Sequence, residues 1–175
     1  REVDRLSTLA ARLLDLAALG KVTWNAERGD LVRVVRDALD ACEAEAETHA
    51  VKLVLSAPDM AMASFEVHTL RQAIDNLLSN ALAHAPRDST ISVEITAAKQ
   101  TWRISVHDEG PGVEPEDVEG IFEPFYRGMK EKQGQGTGLG LSIVREIMRR
   151  HGGTAILVSA DRPGATFMLE LPDKH

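Results

Sequence analysis

The sequence predicts an α+β fold, a two-layer sandwich of helices and a sheet that follows a short helical stub. Several segments have apolar residues at the three- and four-residue spacing of an amphipathic helix. Two neighbouring segments alternate apolar and polar residues across a short gap, as a β-hairpin does. Runs of helices and hairpins without a repeating strand–helix–strand pattern are typical of α+β proteins.

The composition indicates one acidic domain of ordinary size. The 175 residues include 27 acidic and 20 basic side chains, which give a net charge of −7. Nucleic-acid surfaces bind phosphate through clustered Lys and Arg, so this balance argues against nucleic acid as the partner. Cys42 is the single cysteine, and neither a run of 18 apolar residues nor a signal peptide is present. We therefore expect a cytosolic domain, and the opening at Arg1 without Met leads us to expect a fragment.

The first 20 residues predict a helix with a coiled-coil-like apolar stripe about two heptads long. The stripe consists of Leu6, Leu9, Leu13 and Leu16. We expect it to pack on the chain upstream or on a second subunit, with packing on its own domain as the alternative. Gly20 ends the helix, which divides the chain into a stub at 1–20 and a domain at 21–175.

The first half of the domain predicts two helices and a strand. After an extended stretch near 22–27, Asp30 is a suitable N-cap for an amphipathic helix. The apolar positions of that helix include Leu31, Val34, Val35, Ala38 and Leu39. A buried strand at 51–55 follows. The second helix runs from about Glu66 to Ala85, and Pro86 closes it because proline disfavours helical geometry in the residue before it.

The second half predicts a hairpin, a helix and two final strands. Segments 90–97 and 102–107 alternate apolar and polar residues and form the hairpin. A stretch rich in Gly and charge follows, with few periodic signals. The third helix spans 139–150 and ends at a glycine pair, and strands at 154–158 and 166–171 complete the chain.

Asn76 and Asn80 lie four residues apart in the second helix and share one face of it. This face adjoins the leucine-rich face, so at least one amide should point into a cleft or have a buried partner. Amide oxygen suits a hard cation such as Mg²⁺, which usually keeps several waters and shares nucleotide phosphates as ligands. Taken alone, such a pair more often has a structural role, with both amides bonded to the backbone.

Asp108 directly follows a predicted strand and is itself followed by Gly110 and Gly112. Glycines at a strand exit allow a sharp turn and let a ligand approach a surface without Cβ atoms. The carboxylate could accept a hydrogen bond from an exocyclic amine such as that of adenine. An ordinary turn that contains Asp has the same composition and is the alternative.

Glycine occupies every second position from Gly134 to Gly140, directly before the third helix. Unobstructed backbone N–H groups at a helix N-terminus form a cradle for phosphate. The segment is neither a P-loop nor a dinucleotide fingerprint, because no Lys-Ser or Lys-Thr follows it and its spacing differs. A flexible linker is the weaker alternative, since linkers do not end in an amphipathic helix.

Residues 121–128 hold three of the seven aromatic side chains, those of Phe122, Phe125 and Tyr126. An aromatic anchor beside a loop rich in Gly and Lys suggests a lid with a fixed root and a moving tip. A packed surface turn explains the composition equally well.

The order and spacing of these four segments resemble the catalytic ATP-binding domain of sensor histidine kinases. That domain belongs to a superfamily shared with gyrase, the ninety-kilodalton heat-shock chaperone and MutL. The family's N, G1, F and G2 boxes correspond to residues 71–81, 108–112, 121–126 and 136–141. The likeness covers about residues 30–172, and it implies a Bergerat-type ATP-binding fold. The opening helix is similar to the end of the family's dimerisation and phosphoacceptor hairpin.

The resemblance implies a site for ATP and Mg²⁺. Asn80 would bind the metal, Asn76 would contact the phosphates or the metal, and His84 would lie near the phosphates. Asp108 would accept a hydrogen bond from the adenine amine. Backbone contacts to the nucleotide would come from Gly110, Gly112, Gly136, Thr137, Gly138, Leu139, Gly140 and Leu141.

Catalytic roles are implied for Arg127 and Asn76. Arg127 is the expected lid cation that reaches the γ-phosphate, with Lys130 and Lys132 as alternatives. Hydrolytic members of the superfamily place a Glu, the general base, where this chain has Asn76, and an amide cannot take a proton at neutral pH. The resemblance therefore implies phosphoryl transfer, which needs mainly positioning and charge neutralisation.

None of the six histidines has the family's phosphoacceptor context, a His followed by an acidic residue and then by Pro. We therefore expect a catalytic fragment of a protein histidine kinase, with the phosphoacceptor His upstream. The expected partners are the phosphoacceptor hairpin of the same protein and a response regulator, within a membrane-anchored homodimer. A related serine kinase and a non-catalytic nucleotide-binding module are the alternatives.

Overall fold

A computed structural model describes Ala10 and residues 25–126, 137–158 and 163–173. Three helices and seven strands lie in this part of the chain. The helices are α1 (Leu31–His49), α2 (Val67–His84) and α3 (Gly140–Arg150). The strands are β1 (Glu27–Asp30), β2 (Lys52–Ser56), β3 (Met62–Phe65), β4 (Thr90–Ala98), β5 (Thr101–Asp108), β6 (Thr154–Val158) and β7 (Ala165–Pro172). The predicted stub at 1–20 lies, apart from Ala10, outside the described residues.

Five strands form the main sheet in the order β2-β4-β5-β7-β6. β2 and β4 pair in parallel, with α2 in the connection between them, and the other neighbours are antiparallel. Apolar residues from one face of the sheet, such as Val93, Val106 and Phe167, are buried together with the helices. The α+β two-layer fold that the sequence predicts is therefore confirmed.

Each helix begins at a side-chain cap or a glycine-rich turn. Asp30 Oδ1 accepts hydrogen bonds from Val32 N at 3.1 Å and from Ala61 N at 3.0 Å, so the predicted N-cap of α1 also holds a distant loop. Glu66 caps α2, because its two carboxylate oxygens accept from the next free amides. No helix of the described ranges is long and apolar enough to cross a membrane.

A separate two-stranded sheet forms where β1 pairs with β3. The Phe65 ring covers Gly29, where an added Cβ would lie 2.9 Å from ring atom Cζ. Trp102 Nε1 donates to the Met62 carbonyl at 3.1 Å and links this small sheet to β5. The sequence pattern does not predict β3 and predicts the extended stretch before Asp30 too early, because strands of four residues acquire their order from pairing.

Candidate functional site

Asn76, Asn80 and His84 follow one another at four-residue intervals along α2 and therefore form one row. All three are partly exposed, whereas Leu77 and Leu78 between them are buried in the core. Neither Asn amide hydrogen-bonds another residue of the described ranges. The alternative in which both Asn side-chain amides bond to the backbone is therefore not what the structure shows. Both amides are available to a ligand.

Asp108 ends β5 and is buried, with 3% of its surface exposed. Its Oδ1 accepts a hydrogen bond from Gly110 N at 2.8 Å. Burial raises the pKa of the Asp108 carboxyl, an effect that the hydrogen bonds from Gly110 and Ala165 and the nearby His84 partly oppose. A buried acceptor therefore stands at the end of the sheet, beside the end of α2.

The glycines after β5 permit close backbone approach. A Cβ on Gly110 would lie 2.7 Å from Asp108 Oδ1 and 2.8 Å from the His84 carbonyl oxygen. Gly112 has a φ of +78°, which L side chains rarely adopt. The sequence pattern does not assign Gly164 to the site, yet any Cβ there would collide with the carbonyl oxygen of Asp108. Gly164 thus lets β7 close directly against the buried acceptor.

The N-terminus of α3 is not capped by a side chain. Its Ncap residue is Leu139, and the Ser142 hydroxyl donates to the Leu139 carbonyl at 2.8 Å instead of accepting from a free amide. The Thr137 hydroxyl oxygen just before the helix is buried and has no hydrogen-bond partner among the described residues. Uncapped N–H groups and an unpartnered buried hydroxyl are suited to bind an anion.

An anchored turn of residues 114–126 lies against Gly138, just before the start of α3. The Tyr126 hydroxyl donates to Asp117 Oδ1 at 2.7 Å, and its ring packs on Gly120. Phe125 N donates to the Gly138 carbonyl at 2.9 Å, which ties the turn to the start of α3. These contacts hold the turn that the sequence predicts to be the root of a lid.

Two contacts fix the same turn to the body of the domain. Glu123 pairs with Arg145 of α3 at 2.7 Å. The rings of Phe122 and Phe167 meet edge to face with centroids 6.1 Å apart. The predicted lid cation Arg127, its alternatives, and Gly136 lie outside the described residues.

The helices α2 and α3 pack against each other, and the start of α2 meets the end of α3. Glu66 N, at the start of α2, donates a hydrogen bond to His151 Nε2, at the end of α3, at 3.2 Å. With 11 residues, α3 extends about 16 Å back from that bond. An equal distance along α2 from Glu66 reaches the turn that contains Asn76. For helices that run antiparallel from this bond, the uncapped amides of α3 come level with Asn76, and Asn80 lies about one turn further along α2.

The domain that carries this candidate site matches a known family. A family model described as "Histidine kinase-, DNA gyrase B-, and HSP90-like ATPase" matches residues 65–175, and the chain belongs to this family. The match begins just before α2 and includes every residue of the site described above.

Two relatives that are named as sensor proteins align with different shares of the chain. It is 48% identical over 103 residues to the sensor protein IrlS of Burkholderia pseudomallei, across 58% of this chain and 22% of that protein. It is 33% identical over 175 residues to the sensor-like histidine kinase SenX3 of Mycobacterium tuberculosis, across 98% of this chain and 43% of SenX3. The chain thus spans less than half the length of either relative.

A solved structure shares the fold over nearly the whole chain. The full-length ShkA structure in complex with AMPPNP has a TM-score of 0.83 and 26% identity. The match covers 97% of this chain and 36% of ShkA.

Proposed function

We propose that this chain binds ATP with Mg²⁺ and donates the γ-phosphate to a histidine on a phosphoacceptor helix, as the catalytic part of a two-component sensor kinase. The observation that carries the proposal is that α3, whose start is uncapped, packs against α2, which carries Asn76 and Asn80. Family membership and the likeness to sensor histidine kinases support it. So does the match to ShkA, which was solved with the ATP analogue AMPPNP.

The base of the nucleotide would lie at the end of the main sheet. There the buried Asp108 would accept a hydrogen bond from the exocyclic amine of adenine. Gly110 and Gly112 would let the flat ring approach, since a side chain at either position meets neighbouring backbone or demands an unfavourable φ. His84 lies beside Gly110. The part of the site that would bind adenine is therefore next to the row of Asn76, Asn80 and His84 on α2.

The phosphates would lie between α2 and the start of α3. Amides of the first turn of α3 would donate to them, with Asn76 and His84 facing from α2. The Thr137 hydroxyl, which has no hydrogen-bond partner among the described residues, would donate to a phosphate oxygen there. Backbone N–H groups of the loop would complete the cradle at Gly136, Gly138, Leu139, Gly140 and Leu141.

Mg²⁺ fits the residues that are present. No group of three His, Cys, Asp or Glu side chains that could hold a metal ion occurs in the described ranges. Mg²⁺ is commonly held by only one or two protein oxygens together with substrate phosphates, and the unpaired amide of Asn80 can supply one. When bound, Mg²⁺ would neutralise charge on the phosphates.

Transfer is favoured over hydrolysis by the chemistry of Asn76. A carboxylate there could act as general base for water, but an amide cannot take the proton at neutral pH. The chain's residues would therefore orient the triphosphate and shield it, while the nucleophile is brought from outside. We assign to Arg127 the stabilisation of charge that develops on the transferred phosphoryl group.

The acceptor and partners follow from the same proposal. The phosphoacceptor hairpin of the same protein would present its His to this site, and a response regulator would then receive the phosphoryl group. We place the chain on the cytoplasmic side of a membrane-anchored homodimer, where ATP is available. No role in nucleic-acid binding is proposed, in agreement with the net charge of −7.

One transfer experiment tests the proposal. The chain is incubated with γ-labelled ATP and Mg²⁺, with and without an added hairpin that carries a phosphoacceptor His. We expect acid-labile label on that hairpin's His and little release of free phosphate. Label on a Ser of another protein would indicate a serine kinase, and binding without transfer would indicate a nucleotide-binding module. Either result would refute the proposed reaction.

A further inference from the structure

His151 lies between the two helices that carry the candidate site. It directly follows α3, and only 6% of its surface is exposed. Ring atom Nδ1 is 2.9 Å from the Ile147 carbonyl oxygen, and Nε2 is 3.2 Å from Glu66 N. A carbonyl can only accept and an amide can only donate, so the ring is the neutral tautomer with its proton on Nδ1.

The bond to Glu66 is a directional contact between two helices that pack mainly through apolar side chains. The buried residues of both helices are Thr69, Leu70, Ala73, Ile74, Leu77, Leu78, Ala81 and Leu82 on α2, and Ser142, Ile143, Val144, Ile147 and Met148 on α3. Apolar burial is non-directional, so by itself it does not fix the distance between any one pair of atoms across the two helices. A hydrogen bond confines its two heavy atoms to a narrow range of distances.

We propose that His151 is a positioning residue that sets the axial register between α2 and α3, and through it the geometry of the phosphate site. This inference rests on the proposed function. Because a helix moves as a rod, a slide of α3 at His151 moves its first-turn amides equally, relative to Asn76 and Asn80. Hydrogen bonds to phosphate would then leave their favourable range of 2.7–3.2 Å.

Two substitutions separate the two hydrogen bonds of the ring. In His151→Gln, the longer amide can place an acceptor oxygen where Nε2 lies and keep the bond from Glu66 N. In His151→Asn, the shorter amide can still donate to the Ile147 carbonyl but cannot reach Glu66. The Asn variant therefore retains the cap of α3 and loses the link between the helices.

ATP affinity, measured by titration calorimetry with Mg²⁺ on the whole chain, is the first readout. We expect His151→Gln to bind within about twofold of the wild type and His151→Asn to bind about fivefold more weakly, the effect of one net hydrogen bond. The inference is overturned if the Asn variant binds as well as the wild type. It is also overturned if both variants lose affinity in proportion to a shared loss of thermal stability.

Amide hydrogen exchange of nucleotide-free protein is the second readout. We expect the Glu66 amide to be protected in the wild type and in His151→Gln, and to exchange faster in His151→Asn. Equal protection in both variants overturns the link itself. Should the wild type bind no ATP, the proposed function fails, whereas the exchange result still decides whether His151 sets the helix register.

Discussion

Asp108→Asn tests the proposed base contact with almost no change of shape. The Asn Oδ1 can keep the hydrogen bond that Gly110 N donates at 2.8 Å. The second carboxylate oxygen becomes an NH₂ group, so a donor faces the adenine amine where an acceptor is needed. Since a hydrogen bond to a charged group contributes about 1.5–3 kcal/mol, we expect ATP affinity to fall about 10- to 150-fold.

The same substitution separates binding from stability. Burial raises the pKa of Asp108, so ionisation is less favourable in the folded chain than in the unfolded chain, where an Asp pKa is about 3.9. Ionisation of Asp108 therefore destabilises the fold above its folded-state pKa, and this loss disappears below the unfolded value. We expect the stability of wild-type protein relative to nucleotide-free Asp108→Asn to rise as pH falls from neutral towards about pH 4, because the cost of ionising the buried carboxyl disappears.

Calorimetric titration with ATP and thermal melting from neutral to acid pH measure both effects. Glu109→Gln is the matched control, because it removes the neighbouring, exposed carboxylate with the same change of charge. Unchanged ATP affinity in Asp108→Asn, or an equal loss in Glu109→Gln, would refute the assignment of the base contact.

Three further substitutions test the metal ligand, a glycine and a helix cap. Asn80→Ala should weaken ATP binding strongly in the presence of Mg²⁺ and only slightly in EDTA. Ser79→Ala, at the exposed neighbouring position, should leave ATP affinity unchanged in both buffers. Equal losses of affinity for Asn80→Ala in both buffers would refute the metal assignment. Gly110→Ala should lower the free energy of unfolding by about 1–3 kcal/mol, because the new Cβ would lie 2.8 Å from the His84 carbonyl oxygen at the end of α2. An unchanged midpoint of denaturation would contradict this prediction. Glu66→Gln should cost about 1 kcal/mol at neutral pH. Partial burial opposes ionisation of Glu66, but hydrogen bonds from the Thr69 side chain and from the amides of Thr69 and His68 outweigh it and lower the pKa of Glu66. The stabilisation is therefore present above the ordinary pKa and is lost as the pH falls through the lowered pKa. A stability difference between variant and wild type that persists in acid speaks against the cap.

Local pattern predicted most of the secondary structure. Helical periodicity and capping chemistry placed α1, α2 and α3 within about a residue of their observed starts, and alternation placed the β4–β5 hairpin. The strand β3 was not predicted, because its sequence Met-Ala-Ser-Phe has no local pattern that indicates a strand. Its order comes from pairing with β1 and from the Trp102 bond to Met62, which involve residues far apart in the chain.

The sequence by itself determined which residue types occur at the candidate site and in which order. Asn76, Asn80, Asp108 and the alternating glycines were identified from spacing and resemblance, because those signals lie within short segments. Only the tertiary structure decided that the end of α3 meets the start of α2, since that contact joins residues far apart in the chain. It also decided that Gly164 closes against Asp108. Periodicity records which face of an element is buried, whereas axial register and close backbone approach are set by contacts between distant parts of the chain.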